Sequence, residues 1–278
     1  MIASCTTLSS RCEHVVETAR SIFRGTVVPE KFVLNLFRGD FNGEIPAFIA
    51  DYAKEEKRFE VYFSDINYYS ATKLIPTLKR FPDETVVIVD EDKEYQPTVL
   101  ESLVKQHEKH PKCAICMKGE LVRQTIAGNE ILYYGFGSEE EDPYIIPAGG
   151  SGVLFPAHAF DGTDVENMDL FLKWQKPQDD RWWWMNYTKN GIKAIGAVKY
   201  VSDSQFSLKD FETKDTIHSY LWVPENIRRL DKQFFEWMKI RYPLLYLNIP
   251  KMKYVGLGKT TDGRVFLQDE FGFRRRIA

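Results

Sequence analysis

The chain has 278 residues, enough to bury a sizeable core as one large domain or two small ones. Apolar residues make up 44% and charged residues 28%, the proportions of an ordinary soluble globular protein. A formal net charge of −3, with acids and bases mixed along most of the chain, excludes general nucleic-acid binding, which shows as a basic stripe. No apolar run approaches the ~20 residues that span a bilayer, so any membrane contact is expected to be peripheral. No secretory signal precedes Cys5, Cys12, Cys113 and Cys116, so a reducing, cytoplasmic setting is expected. Cys113 and Cys116 form a CxxC inside the apolar stretch CAICM, without a second pair at ligand spacing, and are expected to be structural.

In chain order, Ile2 to Thr6 reads as a strand, Glu13 to Phe23 as an amphipathic helix, Lys31 to Leu36 as a strand and Ile45 to Lys57 as a helix. Phe59 to Phe63 is a third strand, Lys73 to Lys79 a short helix, Thr85 to Val89 a fourth strand and Thr98 to His110 another helix. This alternation predicts an α/β fold with a mostly parallel sheet and helices on both faces. Ligands in such folds collect at the carboxyl ends of the strands. Beyond Cys113 the pattern loosens: an acidic SEEED turn within Gly135 to Pro143, the glycine-interrupted run PYIIPAGGSGVLFP, the segment DDRWWWMNY, and a strand at Ala194 to Val198. From Leu208 onward helix-like and aromatic segments alternate with basic patches, ending in FGFRRRIA, where Arg274 to Arg276 are either a solvated tail or a contact with anionic lipid. No repeat or linker is evident.

The buried run VVIV ends in Asp90, Glu91 and Asp92. Two carboxylates one residue apart at a strand end can converge on a hard divalent cation, which prefers oxygen ligands and bridges to phosphates. The same acids also suit a solvated, helix-capping turn. Four segments in order then decide between these readings: SCTTLSSR followed by VPEKFVLNL, YYSATKLIPTLKRFPDETVVIVDED, PAGGSGVLFP and QDDRWWW. Together they resemble the nucleotide-sugar-dependent glycosyltransferases of the GT-A type, in particular the family-2-like bacterial enzymes of polysaccharide and lipopolysaccharide assembly.

The resemblance implies a GT-A fold over residues 1–204, with a nucleotide-binding half at 1–112, an acceptor half at 113–204 and a helical, aromatic extension at 205–278. It places Thr6, Thr7 and Arg11 along the nucleotide, Asp65 on the base, Lys73 on the diphosphate, and Gly149, Gly150 and Gly152 in the floor of the donor pocket. Asp92 becomes a ligand of Mn²⁺ or Mg²⁺, with Asp90 beside it toward the ribose or a metal-bound water and Glu91 a spectator. Asp179 and Asp180 supply the general base, assigned to Asp180, and His218 is a further candidate metal ligand.

Three successive tryptophans on a helix lie about 100° apart and so cannot share one face. At least one of them, Trp182 or Trp183 in particular, is expected to stack on a sugar ring or acceptor lipid. The implied activity is a metal-dependent, inverting, hexosyltransferase-type transfer from a nucleotide-sugar donor, a UDP-sugar by default. The acceptor would be a surface glycan or lipid-linked saccharide, reached from the cytoplasm at the inner face of the membrane. A sugar nucleotidyltransferase and an inactive glycan-binding relative remain the alternatives, although the glycine-rich basic loop of the former is missing from SCTTLSSR.

Overall fold

Strands β1 (Ile2–Thr6), β2 (Lys31–Phe37) and β4 (Val86–Ile88) are almost wholly buried, as strands covered on both faces are, and β3 (Phe59–Ser64), at the sheet edge, is half-buried. They alternate with helices α1 (Val15–Phe23), α2 (Ala47–Glu55), α3 (Ile75–Arg80) and α4 (Val99–Lys109). The computed structural model describes residues 1–136, 140–174, 178–198, 206–212, 224–259, 264–269 and 274–276.

The central sheet has the order β11-β6-β10-β4-β1-β2-β3, completed by β6 (Ala114–Cys116), β10 (Val153–Phe155) and β11 (Ala194–Gly196). Every pairing is parallel except those of β10, which runs antiparallel between β4 and β6. Alternate residues of each strand feed two cores. Val87 and Val89 pack with Cys5, Leu34, α1 and α4, whereas Val86 and Ile88 pack with Phe155, Leu74 and the tryptophans. The expected strands and helices of the first 110 residues are all present, with ends moved by a few residues. The exception is the helix expected from Lys73, which is a 3-10 turn, Tyr69–Lys73, followed by α3. Pro76 accounts for the division, because its ring suits the first turn of a helix and not its interior.

Between β6 and β11 the chain builds a second sheet of β7 (Gly119–Thr125), β8 (Gly128–Phe136) and β9 (Ile145–Pro147) in the order β8-β7-β9. Helices α5 (Met168–Trp174) and α6 (Asp179–Lys189) follow. Two further small sheets pair β5 (Lys93–Tyr95) with β12 (Ser207–Asp210), and β13 (Tyr254–Lys259) with β14 (Val265–Asp269) and β15 (Arg274–Arg276). Helices α7 (Pro224–Arg241) and α8 (Pro243–Leu247) send Phe234, Trp237 and Met238 from α7 into the same core as α6.

Trp182, Trp183 and Trp184 correct the sequence expectation. Their exposures are 0, 1 and 0%, so none of them faces a ligand. The 100° argument assumed one covered side, but α6 is enclosed on several. Trp182 stacks on Trp237 of α7 at 5.6 Å and donates its indole N–H to Val165 C=O at 2.9 Å. Trp184 packs on Phe234 and donates to Pro143 C=O at 2.8 Å. Trp183 lies edge-on to Phe160. Replacing Trp182 with Ala should therefore cost about 3–5 kcal/mol of folding free energy. Urea titration checks this, and an unchanged midpoint would return Trp182 to the surface.

Candidate active site

Chain direction alone gathers the site. Parallel β1 and β4 both end on one edge, where Thr6 and Thr7 leave β1 and Asp90 to Asp92 follow β4. The antiparallel β10 starts on that edge, with Val153 opposite Ile88, so the glycine turn before it lies against the acids. A Cβ built on Gly150 would stand 2.5 Å from Asp90 Oδ2, and one on Gly149 would stand 2.8 Å from Asp180 Oδ1. Any larger residue would push these carboxylates away, which is the physical need for glycine here. Gly152 has φ +99, a conformation that other residues rarely adopt.

Lys73 is the hub. It is 8% exposed, and its ammonium lies 2.6 Å from Asp90 Oδ1 and 3.3 Å from Asp179 Oδ2. Its backbone is fixed from beneath, since Ser4 Oγ donates to Lys73 C=O at 2.5 Å and Asn35 donates to Ser4 and Thr77 hydroxyls at 3.2 and 2.8 Å. Burial pulls the Lys73 pKa down, but Asp179, Asp90 and Asp180 outweigh it and hold the ammonium well above its ordinary value. Burial likewise works to raise Asp90, yet Lys73 wins and lowers it.

Asp180 accepts the Gly149 N–H at 2.9 Å. Its carboxyl is pushed well up, by burial first and then by Asp179 alongside. The adjacent acids thus divide as two neighbouring helix residues must: Asp179 turns to Lys73, and Asp180 turns to the glycine floor.

Arg11 leaves a kinked 3-10 segment, Ser9–His14, and reaches the acids instead of open solvent. Its Nε lies 2.6 Å from Glu91 Oε1 and its Nη2 lies 3.1 Å from Asp92 Oδ2. Glu91 is therefore not the spectator the spacing suggested: it is buried and anchors Arg11, and its pKa is raised to about 7, chiefly by burial. Asp92 is raised by burial and by Asp90. Asp92 Oδ1 is buried without a hydrogen-bond partner among the described residues. An orphaned carboxylate oxygen next to a second aspartate suits a divalent cation, so Asp90 and Asp92 fit the metal that the sequence implied.

Other expected residues lie further out. Thr6 Oγ1 donates to Asn35 C=O at 2.7 Å and Thr7 Oγ1 donates to Leu8 C=O at 3.4 Å, both at the end of β1. Asp65 ends β3 at the far edge of the sheet, exposed and held by Arg38 at 2.6 Å. The structure does not bring it to the acidic centre. His218 lies outside the described residues.

A separate group, His110, Cys113 and Glu141, brings its ligand atoms within 4.8 Å of one another. It lies where β6 begins, at the opposite end of the sheet from Asp90. Burial and Glu141 push the Cys113 thiol up to about 12, and both CxxC cysteines are buried free thiols.

Tyr95 was missed by sequence reasoning. Its hydroxyl accepts the Asp90 N–H at 2.9 Å and donates to Gly150 C=O at 3.0 Å, joining the acidic loop to the glycine turn. Lys93, also missed, pairs with Asp210 at 3.0 Å, and Phe211 N–H donates to Asp92 C=O at 2.7 Å. The only signal was the segment KEY directly after DED, too short to show a period.

No protein-family model matches the sequence, and no curated protein matches it. Solved structures do match. TarS of S. aureus, as its 1–349 fragment, aligns with TM-score 0.52 at 12% identity, over 86% of this chain and 65% of that one. The mannosyltransferase PcManGT of Pyrobaculum calidifontis, solved in complex with GDP-Man and Mn²⁺, aligns with TM-score 0.52 at 14% identity, over 88% of this chain and 66% of that one. This chain therefore spans about two thirds of the length of either. At such identities the likeness is one of fold: the chain shares the GT-A fold of these structures, with a seven-stranded, mostly parallel central sheet.

Proposed function

We propose that the chain is a metal-dependent, inverting glycosyltransferase that moves a sugar from a nucleotide-diphosphate donor, a UDP-sugar by default, to a surface glycan or lipid-linked saccharide. The observation that carries this reading is the meeting of Asp90, Lys73, Asp179 and Asp180 around the Gly149–Gly150 turn at the carboxyl end of the sheet. An acidic pair for a cation, a buried ammonium and a second acidic pair, brought together at one strand-end site, are parts suited to the displacement of a diphosphate. Support from outside the chain is the shared fold of PcManGT, which was solved with a nucleotide sugar and Mn²⁺.

In this reading Asp92, through its unpartnered Oδ1, and Asp90 hold Mn²⁺ or Mg²⁺. The ion would supply charge to the departing diphosphate. Lys73 keeps Asp90 ionised and in place, and Arg11 neutralises Glu91 and Asp92 until phosphate oxygens compete for its guanidinium. Asp180 takes the proton of the acceptor hydroxyl as that oxygen attacks the anomeric carbon. Asp179 stays on Lys73 and positions its neighbour.

Asp92→Ala should abolish transfer and metal-dependent nucleotide affinity while leaving the thermal melt unchanged. Calorimetry with UDP and GDP, each with and without Mn²⁺, reads the second effect, and full activity of the variant in Mn²⁺ would overturn the metal assignment. A preference for nucleoside triphosphate over diphosphate in the same titrations would favour a nucleotidyltransferase instead.

The base makes a pH prediction. Asp180 acts only when ionised, and its pKa is raised, so activity is lost as pH falls through that raised value. The acidic limb of kcat against pH should lie above the ~4 of an ordinary aspartate. Asp179→Asn removes the adjacent charge and should move the limb to lower pH, whereas Asp180→Asn should lose about 10²–10⁴-fold in kcat with donor affinity retained. A limb that stays in place in the Asp179 variant would dissociate it from Asp180.

A further inference from the structure

We infer that the C-terminal part of the chain docks on an anionic lipid surface through an apolar face ringed by basic side chains. Two independent observations meet there. Among the described residues, the five most exposed large apolar side chains are Ile240, Leu244, Leu247, Val255 and Leu257, at 67 to 75% exposure. All five lie within eighteen residues of sequence.

The charge is segregated in the same region. From Lys239 to the C-terminus the chain has nine Lys and Arg against three Asp and Glu, a net +6 in a chain whose total is −3. The rest of the molecule therefore carries −9 and would be repelled by the surface that attracts this end.

The geometry explains why the apolar side chains remain outside. Tyr242 and Tyr246 of the α7–α8 corner pack against the core, which leaves Leu244 and Leu247 outward. In β13 the alternation is strict: Val255, Leu257 and Lys259 are exposed while Tyr254, Gly256 and Gly258 turn inward. The hairpin tip between β7 and β8 abuts this strand, with Ile126 N–H donating to Tyr254 Oη at 3.4 Å, and adds the exposed Ile126. Lys239, Lys251 and Lys259 are exposed and interleave with these residues in the sequence, and β15 carries Arg274, Arg275 and Arg276 in the same small sheet as β13. Scattered leucines on a soluble surface need no explanation, but an apolar cluster inside a basic field is what a peripheral membrane site presents. No described helix is long and apolar enough to cross a bilayer, so the contact is one of lying on the surface.

The test is co-sedimentation of the full chain with vesicles of phosphatidylcholine alone and of phosphatidylcholine mixed with phosphatidylglycerol. We expect binding to the anionic vesicles only, weakened by salt, with about fivefold lost per basic side chain removed. Leu244→Asp with Leu247→Asp, and separately Val255→Asp with Leu257→Asp, should each lower the partition coefficient about tenfold or more. Thermal melts and UDP binding confirm that these variants are folded, and since none of these residues belongs to the active site, donor hydrolysis should be unchanged. Equal binding to both vesicles, no binding to either, or wild-type binding by the folded Asp variants would overturn the inference. So would a concentration-dependent dimer, seen by light scattering, that the same substitutions dissociate, because the face would then belong to a second copy of the chain.

Discussion

One buried ammonium organises the site. Lys73 touches Asp90 of the strand-end loop and Asp179 of α6, two segments that meet nowhere else in the sequence. An ion pair removed from water is costly unless its geometry is good and its remaining valences are filled. Here Ser4 of β1, bonded in turn to Thr77 and Asn35, fixes the Lys73 carbonyl and so holds the backbone from which the ammonium reaches the acids. The result is a rigid cation around which the acids sort themselves. Asp90, nearest the ammonium, is held ionised, while Asp180, one residue beyond Asp179, is pushed toward its neutral form. Burial works to raise both carboxyls; the Lys73 ammonium overcomes it at Asp90, whereas at Asp180 the adjacent Asp179 adds to it.

Charge balance carries the same point further. Five carboxyl groups, Asp90, Glu91, Asp92, Asp179 and Asp180, face three basic groups, Arg11, Lys73 and Lys93. Lys93 is shared with a sixth acid, Asp210, so the acids outnumber the bases in a poorly hydrated space. Burial is the first cause that raises Glu91 to about 7 and raises Asp180 as well, and the neighbouring acids add to it. A divalent ion would relieve the excess of acids without protons. The site is built with a deficit of positive charge, and that deficit favours a divalent cation over none.

The first 110 residues were legible because most of their strands and helices are long enough to show a pattern and the strands inside the sheet are buried on both faces. Ile2–Thr6 and Lys31–Phe37 could hardly be read otherwise. Beyond residue 112 several strands of the sheets are only three residues long, as in Ile145–Pro147 and Val153–Phe155, and no periodicity survives in so few positions, while the longer Gly119–Thr125 and Gly128–Phe136 carry polar and charged residues that blur their alternation. The glycines, the acidic pairs and Lys73 were legible from their types and order.

The hidden parts were those set by tertiary contact. Tyr95 resembles any other aromatic residue until the glycine turn arrives beside it. The enclosure of α6 by α7 depends on Trp237, more than fifty residues downstream of Trp182. Asp65 shows the same limit: its position after a strand was legible, but sequence order does not give lateral order, and that strand lies at the edge of the sheet, where Asp65 pairs with Arg38.

Tyr95 has a consequence of its own. Its oxygen bridges the Asp90 amide and the Gly150 carbonyl, both main-chain groups, so it acts as a spacer of fixed length between two loops. Side chains around the acids can turn, but the gap between the loops is set by the length of one phenol anchored on β5. Because β5 pairs with β12, that spacer is also tied to residues more than a hundred positions later. The spacing of the acidic loop and the glycine turn is thus gauged by main-chain groups held from both sides of one side chain.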